Sequence, residues 1–170
     1  MHPYAATKCA SESLLQSYVH SYGIRGIAFR PNFIVGPINY PTPYTDNIVY
    51  DFIQSIIKTG FIELAGTGQY QREWLHPKDV ARAIALSISS KPAGFDAYIL
   101  SGERVTMTQL AEKVINLVGR GLIKSKPDMQ GFSLVSNDQK AKQELGWQPQ
   151  INLDSLISEI WNEYKSRNDT

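Results

Sequence analysis

The tightest constraint on what this chain can fold into is the way its hydrophobic period changes, first at Gly23 and then again and again. Residues 4–22 hold no glycine or proline and read as one helix, which Gly23 ends. Ile24 to Phe33 is apolar and β-leaning, as a buried strand would be, until Gly36-Pro37 breaks it. Pro37 to Asp46 carries three prolines and reads as a loop. Ile48, Val49, Phe52, Ile53, Ile56 and Ile57 then return at helical spacing and stop at Gly60. A strand near Ile62–Ala65, a turn at Gly66-Thr67-Gly68 and a strand near Arg72–Leu75 come after it.

The alternation continues to the end. Pro77 suits a first helical turn, and the helix behind it carries Val80, Ala81, Ile84, Ala85 and Ile88. Tyr98-Ile99-Leu100 reads as a strand. Thr106-Met107-Thr108-Gln109 is a capping box opening a helix with Leu110, Val114, Leu117 and Val118 inward. Ser136 to Gln139 reads as a second box, on a helix that ends at Leu145-Gly146-Trp147 with Pro149 beyond. Leu153, Leu156, Ile157, Ile160, Trp161 and Tyr164 form a clear amphipathic stripe. Strands exchanged with helices in this way predict an α/β fold.

Composition narrows the function. A length of 170 residues gives one modest domain with a real core. A net charge of +1 with scattered Lys and Arg offers no field for nucleic acid. The single cysteine, Cys9, excludes an internal disulfide framework, fits a reducing, cytoplasmic setting, and is expected to be packed. No apolar run reaches the ~18 residues of a membrane span, so no membrane partner is expected. His2, His20 and His76 are too far apart to suggest a zinc site. His76 and Asp79 read as a helix-entry pair, and Trp147, Trp161 and Tyr164 as core aromatics.

The chemistry-bearing pattern is Tyr4-x-x-x-Lys8, with Ser11 and Glu12 behind it. Residues four apart on a helix share a face. A phenol ordinarily keeps its proton at neutral pH, and a nearby ammonium favours the phenolate, so such a pair can exchange a proton with a substrate hydroxyl. Taken alone the pattern is common on surface helices. Four further segments downstream give it weight.

Tyr4-x-x-x-Lys8 with Ser11 and Glu12 resembles the catalytic helix of the extended short-chain dehydrogenase/reductases, the NAD(P)-dependent epimerases and dehydratases, many of which act on nucleotide sugars. Phe29-Arg30-Pro31-Asn32-Phe33-Ile34-Val35-Gly36-Pro37 is similar to the family's strand and loop beneath the nicotinamide. Asn47 matches a position that commonly meets the nucleotide diphosphate. Gly66-Thr67-Gly68 through Arg72-Glu73-Trp74-Leu75-His76, with Asp79-Val80-Ala81, resembles the family's Gly-x-Gly…Arg-x-Trp segment, whose arginine typically binds phosphates. Asp138-x-Lys140-Ala141 with Leu145-Gly146-Trp147-x-Pro149 resembles its C-terminal signature.

The resemblance implies the C-terminal part of a Rossmann-type domain over residues 1–37 and mainly a small α/β substrate-binding lobe over 38–170. The N-terminal nucleotide-binding half is expected to be missing. It implies Tyr4 as acid/base and Lys8 on the ribose, with Tyr4, Lys8, Pro31 and Asn32 toward the cofactor and Asn47 and Arg72 toward the substrate. NAD or NADP would serve the complete enzyme, whether isomerase, lyase or oxidoreductase. This chain alone is expected to be inactive and not to bind the cofactor, because no Gly-x-Gly-x-x-Gly pyrophosphate cradle occurs in it. A non-catalytic product or substrate-binding module is the alternative. The expected partner is a nucleotide sugar, and the expected assembly a homo-oligomer through the helix bearing Tyr4 and Lys8. Two places depart from the family: Phe33 stands where a substrate-facing asparagine is usual, and Lys124-Ser125-Lys126-Pro127-Asp128 holds no arginine where a second phosphate-binding one is common.

Overall fold

A computed structural model describes residues 3–37, 47–90 and 94–168. The first helix, α1 (Pro3–Tyr22), is followed by β1 (Gly26–Pro31) and the short β2 (Phe33–Ile34). Helix α2 (Ile48–Thr59), strands β3 (Phe61–Ala65) and β4 (Gln71–Leu75) and helix α3 (Pro77–Ser89) come next. Strands β5 (Phe95–Leu100) and β6 (Glu103–Thr106), helix α4 (Met107–Val118) and strand β7 (Leu122–Lys126) follow. Helices α5 (Gln139–Leu145) and α6 (Leu153–Asn168) close the chain. The loop expected over Pro37–Asp46 lies, from residue 38 on, outside the described residues.

Three small sheets carry these strands. β1 pairs parallel with β5, in a register running from Gly26 opposite Phe95 to Pro31 opposite Leu100. β4 is central in the second, with β2 parallel on one side and β6 antiparallel on the other. β3 pairs parallel with β7. The single strand expected over Ile24–Phe33 is thus two. Asn32 leaves the ladder between them, its amide donating to the Leu100 carbonyl at 2.9 Å. β5 supplies β1 with one neighbour from within this chain. Among the described residues neither β1 nor β5 has a second strand beside it.

Two cores form, and residues beyond 37 contribute to both. The larger packs Val49, Phe52, Ile53 and Ile56 of α2 with Leu110 and Val114 of α4 and Leu156, Ile157 and Ile160 of α6, over Ile62, Leu64 and Trp74. The smaller gathers Leu75, Ala83, Tyr98, Leu100, Ala141, Leu145 and Trp147, with Ile27 and Phe29 of β1 against it. Both arise from helices with one apolar stripe laid on strands. Trp147 and Tyr164 are core aromatics as expected, and Trp161 packs half-buried beside Tyr164 with ring centroids 5.8 Å apart. Burial and the hydrogen bond to Glu144 push the Tyr98 phenol up to about 12.

Two polar clamps fix the layers. Asp79, wholly buried, accepts from the amides of Gln150 and Ile151 at 3.1 and 3.2 Å and from Arg82, while its carbonyl accepts from the Trp147 indole at 2.8 Å. His76 caps α3 by accepting from the Lys78 amide at 3.0 Å, so its Nε2 carries the proton it donates to Glu159 at 3.1 Å. The expected helix-entry role of that pair holds.

The Thr106–Gln109 capping box forms with both reciprocal bonds. The second box does not. α5 is entered from Asp138 with no side-chain cap bond, because the Ser136 hydroxyl and amide both donate to Glu73, at 2.9 and 3.1 Å. A cap would need the Ser136 oxygen to accept from a helix amide, and that oxygen instead accepts from Asn32 at 2.7 Å while its hydroxyl donates to the buried carboxylate. Cys9, expected to be packed, is exposed, since Val19 is the only α1 residue that is fully buried. Strands β6 and β7 were not legible at all. β7, Leu-Ile-Lys-Ser-Lys, is held by backbone pairing to β3 rather than by an apolar face.

Candidate active site

Two clefts meet at Ile34, which lines both. The first, about 690 Å³, lies between the start of α1 and the end of β1. Helical spacing puts Tyr4, Lys8, Ser11 and Glu12 along one wall, and residues 28–32 form the other. The Lys8 ammonium sits 5.3 Å from the centre of the Tyr4 ring. Tyr4 is two-thirds exposed, at 66%. Arg30 donates to both carboxylate oxygens of Glu12, and this bond is the main reason the Glu12 carboxyl is held below its usual range. Four of the residues singled out in the sequence, Tyr4, Lys8, Pro31 and Asn32, therefore come together. Arg72 and Asn47 are not among them.

Arg72 lines the second cleft, about 400 Å³, with Phe33, Ile34, Val35, Ile48, Asp51, Tyr70, Trp74 and Met107. Strand alternation explains the set: Arg72 and Trp74 share a face of β4, and Tyr70, just before the strand, keeps the same spacing of two. Two carboxylates lie close in sequence, Glu73 and Asp79, either of which Arg72 could pair with. Neither forms, since Glu73 pairs with Arg104 and Asp79 with Arg82. Rings surround the Arg72 guanidinium instead: Phe132 at 3.9 Å, Phe33 at 4.8 Å and Tyr70 at 5.6 Å. Burial lowers its affinity for the proton from the ordinary arginine value, with Tyr70 partly opposing that shift.

Two buried side-chain donors among the described residues lack any hydrogen-bond partner, Nη1 of Arg72 and Nε1 of Trp74. Both belong to residues of this one cleft. A buried unpaired donor costs about 1–3 kcal/mol, so these two residues of β4 carry donors that an acceptor would stabilise.

Asn47 lies outside both linings. It is buried, its carbonyl oxygen caps α2 by accepting from the Tyr50 amide at 3.2 Å, and its Nδ2 donates to the Gly36 carbonyl at 2.9 Å. Lys126, in the stretch that lacks an arginine, is paired with Glu63 at 2.6 Å.

Sequence reasoning missed the buried carboxylate between the clefts. Glu73, on the face of β4 opposite Arg72, accepts from the Asn32 amide group, from Ser136 and from Arg104 Nε and Nη2 at 3.1 and 2.8 Å. It ties the floor of the first cleft to the strand that walls the second. The signal was present in the period-two pattern of Arg72-Glu73-Trp74, which makes a charged residue face inward. Phe132 left no such signal.

Residues 1–99 match the NAD dependent epimerase/dehydratase family, and the chain belongs to that family. It is 28% identical over 163 residues to a dTDP-glucose 4,6-dehydratase of Streptomyces niveus, covering 93% of this chain and 47% of the relative. It is 29% identical over 168 residues to a UDP-glucuronate 4-epimerase of Thermodesulfobacterium geofontis, covering 94% and 49%. The chain thus spans about half the length of these curated relatives.

Among solved structures, an epimerase from Methanothermobacter thermautotrophicus superposes with a TM-score of 0.85 at 19% identity, over 98% of this chain and 51% of that one. A UDP-glucose 4-epimerase of Thermotoga maritima, solved with UDP-glucose, gives 0.81 at 22% identity, over 98% and 54%. The fold is accordingly part of the extended short-chain dehydrogenase/reductase fold. Among the described residues no helix is long and apolar enough to cross a membrane, and no cluster of metal-ligating side chains occurs.

Proposed function

We propose that this chain is the catalytic-helix and substrate-binding portion of an NAD(P)-dependent epimerase or dehydratase acting on a nucleotide sugar. The observation that carries the proposal is the pair of orphaned donors, Arg72 Nη1 and Trp74 Nε1, on a cleft that adjoins the one holding Tyr4 and Lys8. A diphosphate offers acceptors to both donors, and guanidinium binds phosphate through planar, charge-assisted hydrogen bonds. Asp51, in the same lining, offers an acceptor to sugar hydroxyls.

The first cleft fits the reacting end of a dinucleotide: Lys8 can donate to ribose hydroxyls, and the Pro31–Asn32 backbone closes the floor. The nicotinamide, when bound, supplies hydride exchange with a substrate carbon. Tyr4 Oη is the group that takes or returns the proton of the hydroxyl on that carbon, and Lys8 holds that phenol and the ribose in one geometry. Asn32 is kept in place by Glu73 and Ser136, the latter at 2.7 Å.

Calorimetric titration tests the proposal. A nucleoside diphosphate should bind more tightly than its nucleoside, and Arg72→Ala should lose about 1.5–3 kcal/mol of that binding. The melting temperature should hardly move, because neither Glu73 nor Asp79 loses a partner. Equal binding by both proteins would remove Arg72 from the site.

The same reading carries a proposal about assembly. Leu14, Tyr18 and Tyr22 of α1 are exposed, and so are Ile84 and Ile88 of α3. Together with the edges of β1 and β5 that have no strand beside them among the described residues, they form apolar surface and strand edges of the kind that drive association. Light scattering at micromolar concentration should find a self-associated species, with binding of a hydrophobic dye in parallel. A monodisperse 19.1 kDa particle that takes up no dye would contradict this.

A further inference from the structure

We propose that Phe132 is a positioning residue for the anion site, and that it does for Arg72 what a carboxylate does for most buried arginines. The inference rests on the reading of Arg72 as an anion ligand. A guanidinium has five N–H donors in its plane. A carboxylate partner would occupy two of them and cancel the charge that an anionic ligand must meet. An aromatic face attracts the same cation through its π-electrons and leaves the in-plane donors unspent.

Around the Arg72 guanidinium the chain supplies three rings, and Phe132 at 3.9 Å is nearer than Phe33 or Tyr70. The adjacent carboxylate, Glu73, is turned to the other face of β4 and held there by Arg104, Asn32 and Ser136. Phe132 does not line the second cleft; it covers the guanidinium from outside it.

Its placement is built in rather than incidental, for the residue is 64% exposed and gains little by burial. The segment 131–136 is laced to β4. The Gln71 amide donates to Ser133 Oγ and the Gln71 carbonyl accepts from the Leu134 amide, both at 3.0 Å, and Ser136 is held on Glu73. At the start of the segment the chain crosses the Tyr70 ring so closely that a Cβ on Gly131 would lie 2.0 Å from it. Only glycine passes there without displacing Tyr70, and the next residue is then set over the guanidinium.

The test is a titration of the full 170-residue chain with inorganic pyrophosphate, in the wild type and in Arg72→Ala, Phe132→Leu and Phe132→Tyr. Phe132→Leu keeps apolar bulk and removes the π face, and should weaken binding about fivefold, the scale of one partly desolvated cation–π contact. Phe132→Tyr should restore binding to within about twofold. The Arg72 side-chain N–H resonance should lie upfield in the wild type and in Phe132→Tyr, shielded by the ring, and should return to its ordinary position in Phe132→Leu. Pyrophosphate binding that is absent, or the same in Arg72→Ala as in the wild type, overturns the anion site and this inference with it. Binding lost in Arg72→Ala but kept in Phe132→Leu overturns the role of Phe132 and leaves the site standing. Weakening in Phe132→Tyr equal to that in Phe132→Leu does the same.

Discussion

Asp79→Ala should cost about 3–5 kcal/mol of folding stability, read as a large fall in the urea midpoint with the slope unchanged. The carboxylate is wholly buried, and three donors converge on it: the amides of Gln150 and Ile151 and the Arg82 guanidinium. Alanine leaves the two amides without a partner and a partly buried cation without its counter-charge. Each orphaned donor costs about 1–3 kcal/mol. Against a typical total of about 5–15 kcal/mol this is enough to leave much of the population unfolded near body temperature. The loss should concentrate in the smaller core, since Asp79 joins α3 to the segment that carries Trp147. Asp79→Asn keeps the shape and one acceptor and should lose about half as much. A midpoint unchanged in Asp79→Ala would mean that the 147–151 segment is held by its apolar contacts alone.

Gly102→Ala should be nearly as damaging, for a steric rather than an electrostatic reason. A Cβ at this position would stand 1.7 Å from the Trp74 carbonyl oxygen and 2.5 Å from its carbon. Both are backbone atoms of β4 at the end of its ladder with β6, so no rotamer change relieves the clash. β4 and β6 must separate, giving up the register that sets Arg72 opposite Val105 and Trp74 opposite Glu103. The expected cost is about 3 kcal/mol, the upper end for overpacked interiors. Hydrogen exchange should show it locally, as faster exchange of the β4 and β6 amides with the α6 amides little changed. Protection kept across β4 and β6 would show that the strands absorb the extra methyl group.

Where the polypeptide's own period governs structure, the sequence was readable. The stripes of α2, α4 and α6, the Tyr4–Lys8 face and the Thr106 capping box all depend on residues within a turn or two of each other. Where a partner lies far along the chain, local pattern misled. Ser136 has the form of a helix cap, yet its hydroxyl serves Glu73, sixty-three residues away. Asn47 matches a ligand-facing position and spends both ends of its amide on backbone groups. β7 has too few apolar residues to announce a strand and forms because β3 presents an edge to it. Phe132 sits in a stretch with no periodic signal, and only its crossing of Tyr70 brings it to Arg72. The cleft around Arg72 could be half seen, since strand alternation groups Tyr70, Arg72 and Trp74, but not what encloses it.

The acceptor role of Glu73 bears on how such a protein can vary over time. Its oxygens are shared by side chains at positions 32, 104 and 136, which come from three separate stretches of the chain. Groups bound into one network do not contribute independently, and the loss of any member strands the others. Glu73 therefore behaves less as a single site than as the hub of a four-letter word. A change in one letter is penalised unless another changes with it, so substitutions at these positions are expected to be inherited in combination. Exposed positions such as Leu122 of β7 and Met129 beyond it lie outside that network and are free to drift one residue at a time.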